Sequence, residues 1–424
     1  MTDCLASSAT PQGVPPSCAT PLTPALEERY EVLVVGAGPA GAAAARLLAQ
    51  AGRRVLMVDQ HPLGRDKTCG DGLIPDAHQA LQKLGLLEAV MARAEPVREV
   101  GCVGPRGGRV DVPGELAVLP RQVLDELLAR HAVAAGARFE QARFEQALED
   151  AQGRVCGAVL QRGDERLTLQ ADWVILATGA VPKALIAAGM CERHTPSGVA
   201  LRGYVHAPAM VGRIQAMEVV WSREVRPGYG WIFPAPQGRF NIGVGVTDSH
   251  SAVAGKGRKK DVNLRALFDA FCQHYPPAAE LMRHGQLEGE LKGAPLRCTL
   301  QGARWTRPGL LVSGEAAGST YSFTGEGIGK AMATGMAAAE AVLQGRDDAD
   351  TRQRYEAVLQ ELKPRYDLYE RANRINAAPW LADLLIWRAK RSPRLLKRMS
   401  GVLNETSNPG TLLSLKGLRR LFLE

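Results

Sequence analysis

Short apolar, β-branched runs alternate along the chain with longer segments of helical period. YEVLVV at 30–35 predicts a buried strand, and AAAARLLAQAG after Gly41 predicts a helix closed by Gly52. RVLMVD predicts a second strand ending at Asp59. Two further buried strands are expected, Asp172 to Leu176 and Gly309 to Val312. AHQALQKLGLLEAV carries a helical pattern, and LPRQVLDELLARHAVAAGA places Arg121 at a helix start. From Tyr229 to Pro234, Trp231 and Phe233 alternate with other residues, as one face of a half-buried strand does. Toward the end, Trp380-Leu381, Leu384-Leu385, Leu395-Leu396, Met399 and Leu403 recur at helical spacing, interrupted by Pro393. TLLSLKGLRRLFLE then sets Leu412, Leu415, Leu418 and Phe422 on one side of a last helix.

With 424 residues the chain has length for two or three domains. No apolar run approaches the ~18 residues of a membrane span. The first 27 residues are rich in Pro, Ser, Thr and Ala and lack the basic start and apolar block of a secretory signal, so a disordered leader is expected. Eight cysteines show no CxxC spacing, which argues against a zinc site or a disulfide framework and for a reduced cytoplasmic setting. No metal and no nucleic-acid partner is expected. The net charge is +8, and residues 386–424 hold nine Lys/Arg against two acids, so one segment carries nearly all of it. Three readings of that segment stand open. It is an interfacial helix on an anionic membrane, making the protein peripheral at the inner face; or helices packing their leucines on the domain; or a dock for an acidic electron donor.

The predicted strand before Gly36 and the helix after it frame Gly36-Ala37-Gly38-Pro39-Ala40-Gly41, a GxGxxG, and the second strand ends in an acid 18 residues on. That is the full βαβ context of dinucleotide binding. Gly36 permits the tight turn, Gly38 lets backbone approach a pyrophosphate, and Gly41 lets helix and strand close together. The helix N-terminus stabilises the diphosphate charge, and Asp59 suits a ribose hydroxyl. No second such unit follows, so a separate NAD(P) domain is not expected.

Two later segments, the strand leading into Ala177-Thr178-Gly179 and the strand ending at Gly314-Glu315 before Gly325-Glu326-Gly327-Ile328, complete a set that resembles the p-hydroxybenzoate hydroxylase-like flavoproteins. The resemblance implies FAD, with Glu315 standing where the family usually has Asp at the ribityl chain, and with the helix after Gly327 facing the flavin's pyrimidine edge. It places Arg121 near the flavin; the plain alternative is a solvated helix-start residue.

DKTCGDGLIP at 66–75, and Tyr229-Gly230-Trp231-Ile232-Phe233-Pro234 followed by Gly243-Val244-Gly245, resemble the geranylgeranyl reductase family within that fold. The resemblance implies a Rossmann-like α/β FAD-binding domain, discontinuous over 28–85, 115–182 and 296–345. An interleaved β-sheet substrate domain would take 86–114 and 183–295, and a helical basic region 346–424. It implies reduction of C=C bonds in a polyprenyl or lipid-like substrate by hydride from reduced flavin. Electrons would come from NAD(P)H, a ferredoxin or a flavodoxin. Cys69 and Gly70 would run beside the flavin. Cys69, Asp71 and Glu326 are the candidates for proton delivery, and Trp231 and Phe233 lie in the catalytic sheet. A monooxygenase acting on an aromatic or secondary-metabolite substrate stays open. So, behind it, do a halogenase, which needs a lysine such as Lys67 or Lys83, and a flavin-binding protein without turnover. The plain alternative for Cys69 is a small buried packing residue.

Overall fold

The computed structural model describes residues 29–247 and 262–407. The expected leader and the Leu412–Phe422 helix lie outside the described residues. Two eight-stranded sheets form the frame. The first runs in the order Thr306–Arg307, Leu310–Val312, Glu165–Leu176, Arg29–Val35, Val55–Asp59, Arg138–Gln141. Its central pairs are parallel, as the βαβ reading requires. Arg143–Glu149 and Val155–Arg162 extend it as an antiparallel meander from Glu165–Leu176. Val32, Val34, Val55 and Met57 face one core, while Leu33, Val35, Leu56 and Val58 face another. Both faces are covered, which is why these strands read as continuous apolar runs.

One cover is the helix Pro39–Gln50, packed against Ile328–Gln344. Their approach depends on a missing side chain, since a Cβ on Gly335 would lie 2.1 Å from the Ala40 carbonyl oxygen. Likewise a Cβ on Gly41 would lie only 1.8 Å from the Gly36 carbonyl oxygen, so the first helix closes tightly on the turn from its strand. The AHQALQ pattern is not one helix but two, Pro75–Lys83 and Leu87–Met91. Gly85 at φ +67° turns the chain between them, and its N–H caps the Gln82 carbonyl.

The second sheet runs Gln286–Leu296, Gly198–His206, Arg239–Thr247, Gly228–Ala235, Met217–Val220, Glu95–Val103, Arg109–Val118, Gly72–Leu73. It takes in Gly72–Leu73 and runs on to Val118, so this sheet begins inside stretches assigned above to the first domain. The helices Trp380–Ala389 and Pro393–Leu403 lie against it. Ala382, Ile386, Ala389 and Leu395 share a core with Cys102, Val110, Val112 and Trp221. Leu396, Met399 and Leu403 pack on the same cluster. In the described part of the basic tail, therefore, most of the periodic leucines face inward.

Candidate active site

The first sheet ends in a cradle made mostly of backbone. Gly36 sits at φ +108°, and a Cβ there would lie 2.3 Å from the Ala177 carbonyl oxygen, so only glycine fits the turn. Gly38 caps the helix Pro39–Gln50 without any side-chain hydrogen bond, leaving the terminal N–H groups for a ligand. Around Gly38 the nearest atoms to a Cβ would be Arg121 Nη2 at 3.8 Å and Asp125 Oδ2 at 4.0 Å, so the protein leaves this flank open. Asp59 accepts from the Ala37 N–H and the His61 N–H, both at 2.9 Å, and so ties the turn to the second strand while lining the cavity.

Arg121 is not a solvated helix-start residue. It is 5% exposed, and Asp125 holds its guanidinium at 2.6 and 2.7 Å in a two-point bridge. Its charge also falls on Cys69. Across the cradle, Glu315 pairs with Lys67 at 3.4 Å, and Thr178, Gly179, Gly325, Gly327 and Ile328 complete the lining. Gly314, at φ +64°, packs toward Ala40. The hydroxyl of Thr178 is buried with no partner among the described residues. With an uncapped helix N-terminus, an open flank at Gly38 and an unpartnered hydroxyl, the residues fit FAD along the whole length of the cradle. Gly36, Gly38, Pro39 and Ala40 would hold its pyrophosphate, and Asp59 and Glu315, both on the cavity wall, would be the acids for its sugar hydroxyls.

The 66–71 segment is clamped by side chains of the second sheet. Asn241, fully buried, donates to the Cys69 carbonyl at 2.8 Å and to Asp71 Oδ2 at 2.7 Å, and accepts from Trp231 Nε1 at 2.8 Å. Tyr204 donates to the same Asp71 oxygen. The Arg121 backbone N–H reaches Asp71 Oδ1 at 3.3 Å. Arg202, 1% exposed, bridges to Asp66 and donates to the Lys67 carbonyl at 3.0 Å, with its guanidinium 4.2 Å from the Tyr204 ring. Burial pushes the Asp71 carboxyl up to about 6, opposed by these donors. Both of its oxygens are engaged and its backbone sits at φ +65°, so the geometry makes Asp71 the anchor of the loop.

Cys69 remains half-buried on the cavity wall. Gly70 is a packing position for the second sheet. A Cβ there would lie 3.1 Å from Phe233 Cε2 and 3.7 Å from Trp231 Nε1, so the catalytic-sheet aromatics pack directly on it. The register pairs Trp231 with Gly243 and Phe233 with Asn241. A Cβ on Gly243 would meet the Trp231 ring at 2.3 Å, which explains the glycine that follows this motif.

Glu326, half-buried, also lines the cavity, and burial pushes its carboxyl up to about 8, with Lys330 pulling the other way. Tyr229, whose hydroxyl donates to the Thr324 carbonyl, is raised by burial and feels both Glu326 and Cys69. Lys330 itself is 7% exposed and bridges to Asp76 at 2.5 Å and to Glu405. Of the two lysines named for a halogenase, Lys67 is bound to Glu315, while Lys83 is exposed and off the cavity.

Cradle and loop open into one cavity of about 860 Å³. Beyond Cys69 it becomes apolar, between Val100, Cys102, Val112 and Trp221 of the second-sheet side and Leu385, Ile386, Met399 and Leu403 of the last described helices. Asn241, Tyr204 and Arg202 were not singled out from the sequence. The only local signal was an asparagine within the otherwise apolar FNIGVGV run.

Residues 29–221 match the FAD binding domain family. The chain is 34% identical over 339 residues to a menaquinone reductase of Mycolicibacterium smegmatis, spanning 76% of this chain and 78% of the relative. It is 30% identical over 326 residues to a digeranylgeranylglycerophospholipid reductase of Methanopyrus kandleri, spanning 76% and 82%. A solved geranylgeranyl bacteriochlorophyll reductase-like protein of Thermoplasma acidophilum superposes with TM-score 0.70 at 24% identity, covering 94% of this chain and 96% of that one. A flavin-dependent brominase shares the fold at 18% identity, a likeness that speaks for the fold alone. From the cradle, the clamped cysteine loop and these relatives together, the chain belongs to the geranylgeranyl reductase family of FAD-dependent oxidoreductases.

Proposed function

We propose that the protein saturates carbon–carbon double bonds in the polyprenyl chain of a lipid-like substrate. One observation carries this reading: the cavity is continuous from the dinucleotide cradle, past Cys69, into an apolar chamber roofed by the C-terminal helices. An aromatic hydroxylation site would call for a compact polar end to orient its substrate, whereas this chamber suits a flexible hydrocarbon.

FAD held in the cradle would, when reduced, supply a hydride to one carbon of the double bond, and a proton must reach the other. The chain's own residues position and shield. Trp231 and Phe233 press the Cys69-Gly70 backbone into place, Asn241 fixes the Cys69 carbonyl, and the last helices exclude water. An isolated alkene accepts hydride poorly, so a positioned acid lowers the barrier. Two cavity groups can carry the proton, Cys69 and Glu326, and with its carboxyl raised to about 8 Glu326 is protonated at neutral pH. Electrons reach the flavin from outside: among the described residues one GxGxxG βαβ unit occurs, and the cradle uses it. NAD(P)H and a ferredoxin or flavodoxin are the donors to try.

The test is anaerobic. The FAD-loaded protein is reduced, then mixed with a polyprenyl quinone, a polyprenyl phospholipid, or oxygen plus an aromatic phenol. Return of the oxidised flavin spectrum with a product heavier by one H₂ per double bond is the expected result. A hydroxylated product in the oxygen arm, with no alkene reduction, would overturn the reading.

A further inference from the structure

We propose that the helix Trp380–Ala389 seats this protein on an anionic lipid bilayer, with Trp380 and Trp387 entering the headgroup region. The helix has two faces of opposite character. Inward, Ala382, Ile386 and Ala389 are buried against the second sheet. Outward, Trp380 is 63% and Trp387 49% exposed. They are seven residues apart, two turns, and so share one face. All other large apolar side chains that stand exposed among the described residues are Val or Ile. An indole is costly to leave in water. Its apolar body and polar N–H suit the boundary between headgroups and acyl chains.

The charge around this face matches. From Arg374 to Arg398 the chain carries seven basic side chains and one acid, Asp383. That acid is engaged with the Arg106 backbone at 3.1 Å and the Arg106 side chain at 3.9 Å. Lys390, Arg391, Arg394 and Lys397 are exposed on the turn and helix that follow. The Arg391 guanidinium lies 4.6 Å from the Trp387 ring centre, placing cation and indole side by side. Basic side chains flanking a pair of aromatics are the pattern of an in-plane interfacial helix. No helix among the described residues is long and apolar enough to cross a membrane, so the seat is monotopic. The two sides are also connected. Leu385, Ile386 and Met399 of these same helices line the cavity from within, so a hydrocarbon leaving the bilayer has one layer of helices to pass.

The experiment uses the FAD-loaded full chain and needs no substrate, so its outcome is separate from that of the reductase assay. Sedimentation is compared with phosphatidylcholine vesicles and with vesicles also containing phosphatidylglycerol. The parent protein should bind the anionic vesicles with a blue shift of tryptophan emission. Trp380→Ser/Trp387→Ser should bind them at least ~10-fold more weakly. Arg391→Glu/Arg394→Glu/Lys397→Glu should abolish the preference for anionic lipid. Flavin content, melting temperature and turnover of a detergent-dispersed substrate should stay at parent values in both variants. The proposal is overturned if the parent ignores the anionic vesicles, if the Trp variant binds as the parent does, or if lipid charge makes no difference. It is equally overturned if the Trp variant changes only the oligomeric state on gel filtration. That result would give the face to a second copy of the chain.

Discussion

The cradle and the cysteine loop meet in one cavity, but they are held by opposite means. The cradle is an arrangement of backbone in which Gly36, Gly41, Gly314 and Gly335 have no room for a Cβ. The loop is held by large polar side chains, Arg202, Tyr204 and Asn241, reaching across from another sheet. A site built of backbone should fail by losing its ligand. A site built of side chains should keep its ligand and lose geometry.

Gly38→Val is the sharpest way to break that contrast. The flank it fills is open to the ligand and not to protein, so the variant should fold, by circular dichroism, yet be purified nearly free of flavin. Normal flavin content would remove the backbone-cradle account. Next come the proton candidates. If Cys69 delivers the proton, Cys69→Ala should keep its FAD and lose ~10²–10⁴-fold in turnover, and Glu326→Gln should do so if the carboxyl is the source. A parent-like rate in either variant clears that residue, and Asp71→Asn, expected to damage loop stability first, is the control.

Asn241→Leu tests the clamp. It leaves Trp231 Nε1 and Asp71 short of partners in a buried site, costing about 2–4 kcal/mol of stability. Displacing Cys69 should slow turnover by roughly 10²-fold at normal flavin content. A denaturant curve and an absorbance ratio on the same sample decide it; flavin loss in step with activity would place Asn241 in the cradle instead.

That outcome bears on what could be read from the sequence. The cradle was legible because its parts lie within 24 residues, from Gly36 to Asp59, at spacings that backbone geometry dictates. The late segments at Thr178 and Glu315 were legible through resemblance. The clamp was not, because Asn241 meets Asp71 across 170 positions and Tyr204 meets it across 133, and no periodicity links them. The role of Gly70 was half legible: the glycine was noted, but its packing on Phe233 depends on the second sheet being in place. The tail leucines were legible as a helix but not as a roof, since a periodic stripe does not say what it faces.

Two smaller effects sharpen the comparison. The Glu326 carboxyl is raised from 4.5 to about 8, so between those values the folded protein holds a proton that the unfolded chain has released. Stability from this group is therefore greatest at low pH and declines as pH rises through that window. Glu326→Gln should flatten that part of the curve in denaturant midpoints measured from pH 5 to 8; an unchanged slope would assign it to other groups. Smallest is Gly70→Ala. Its Cβ must move the Phe233 ring by a few tenths of an ångström, at about 1 kcal/mol. Flavin occupancy should be unaffected, and a fall in occupancy larger than the fall in stability would return Gly70 to the cradle.

The cysteine loop does not end when it leaves the cavity. Immediately after Asp71 the chain becomes a strand of the second sheet, with Gly72 and Leu73 paired to Val118 and Ala117. The Leu119 N–H, next in line, donates to the Asp71 carbonyl at 3.1 Å. One of the connections between the two sheets is thus also the candidate reacting segment, and loss of the second sheet would release its anchor. Heat should then unfold the described body in a single cooperative step, with flavin release coinciding with loss of the second sheet. Two separated calorimetric transitions would contradict this. If the step is single, the melting curve becomes a direct measure of how firmly Cys69 is held.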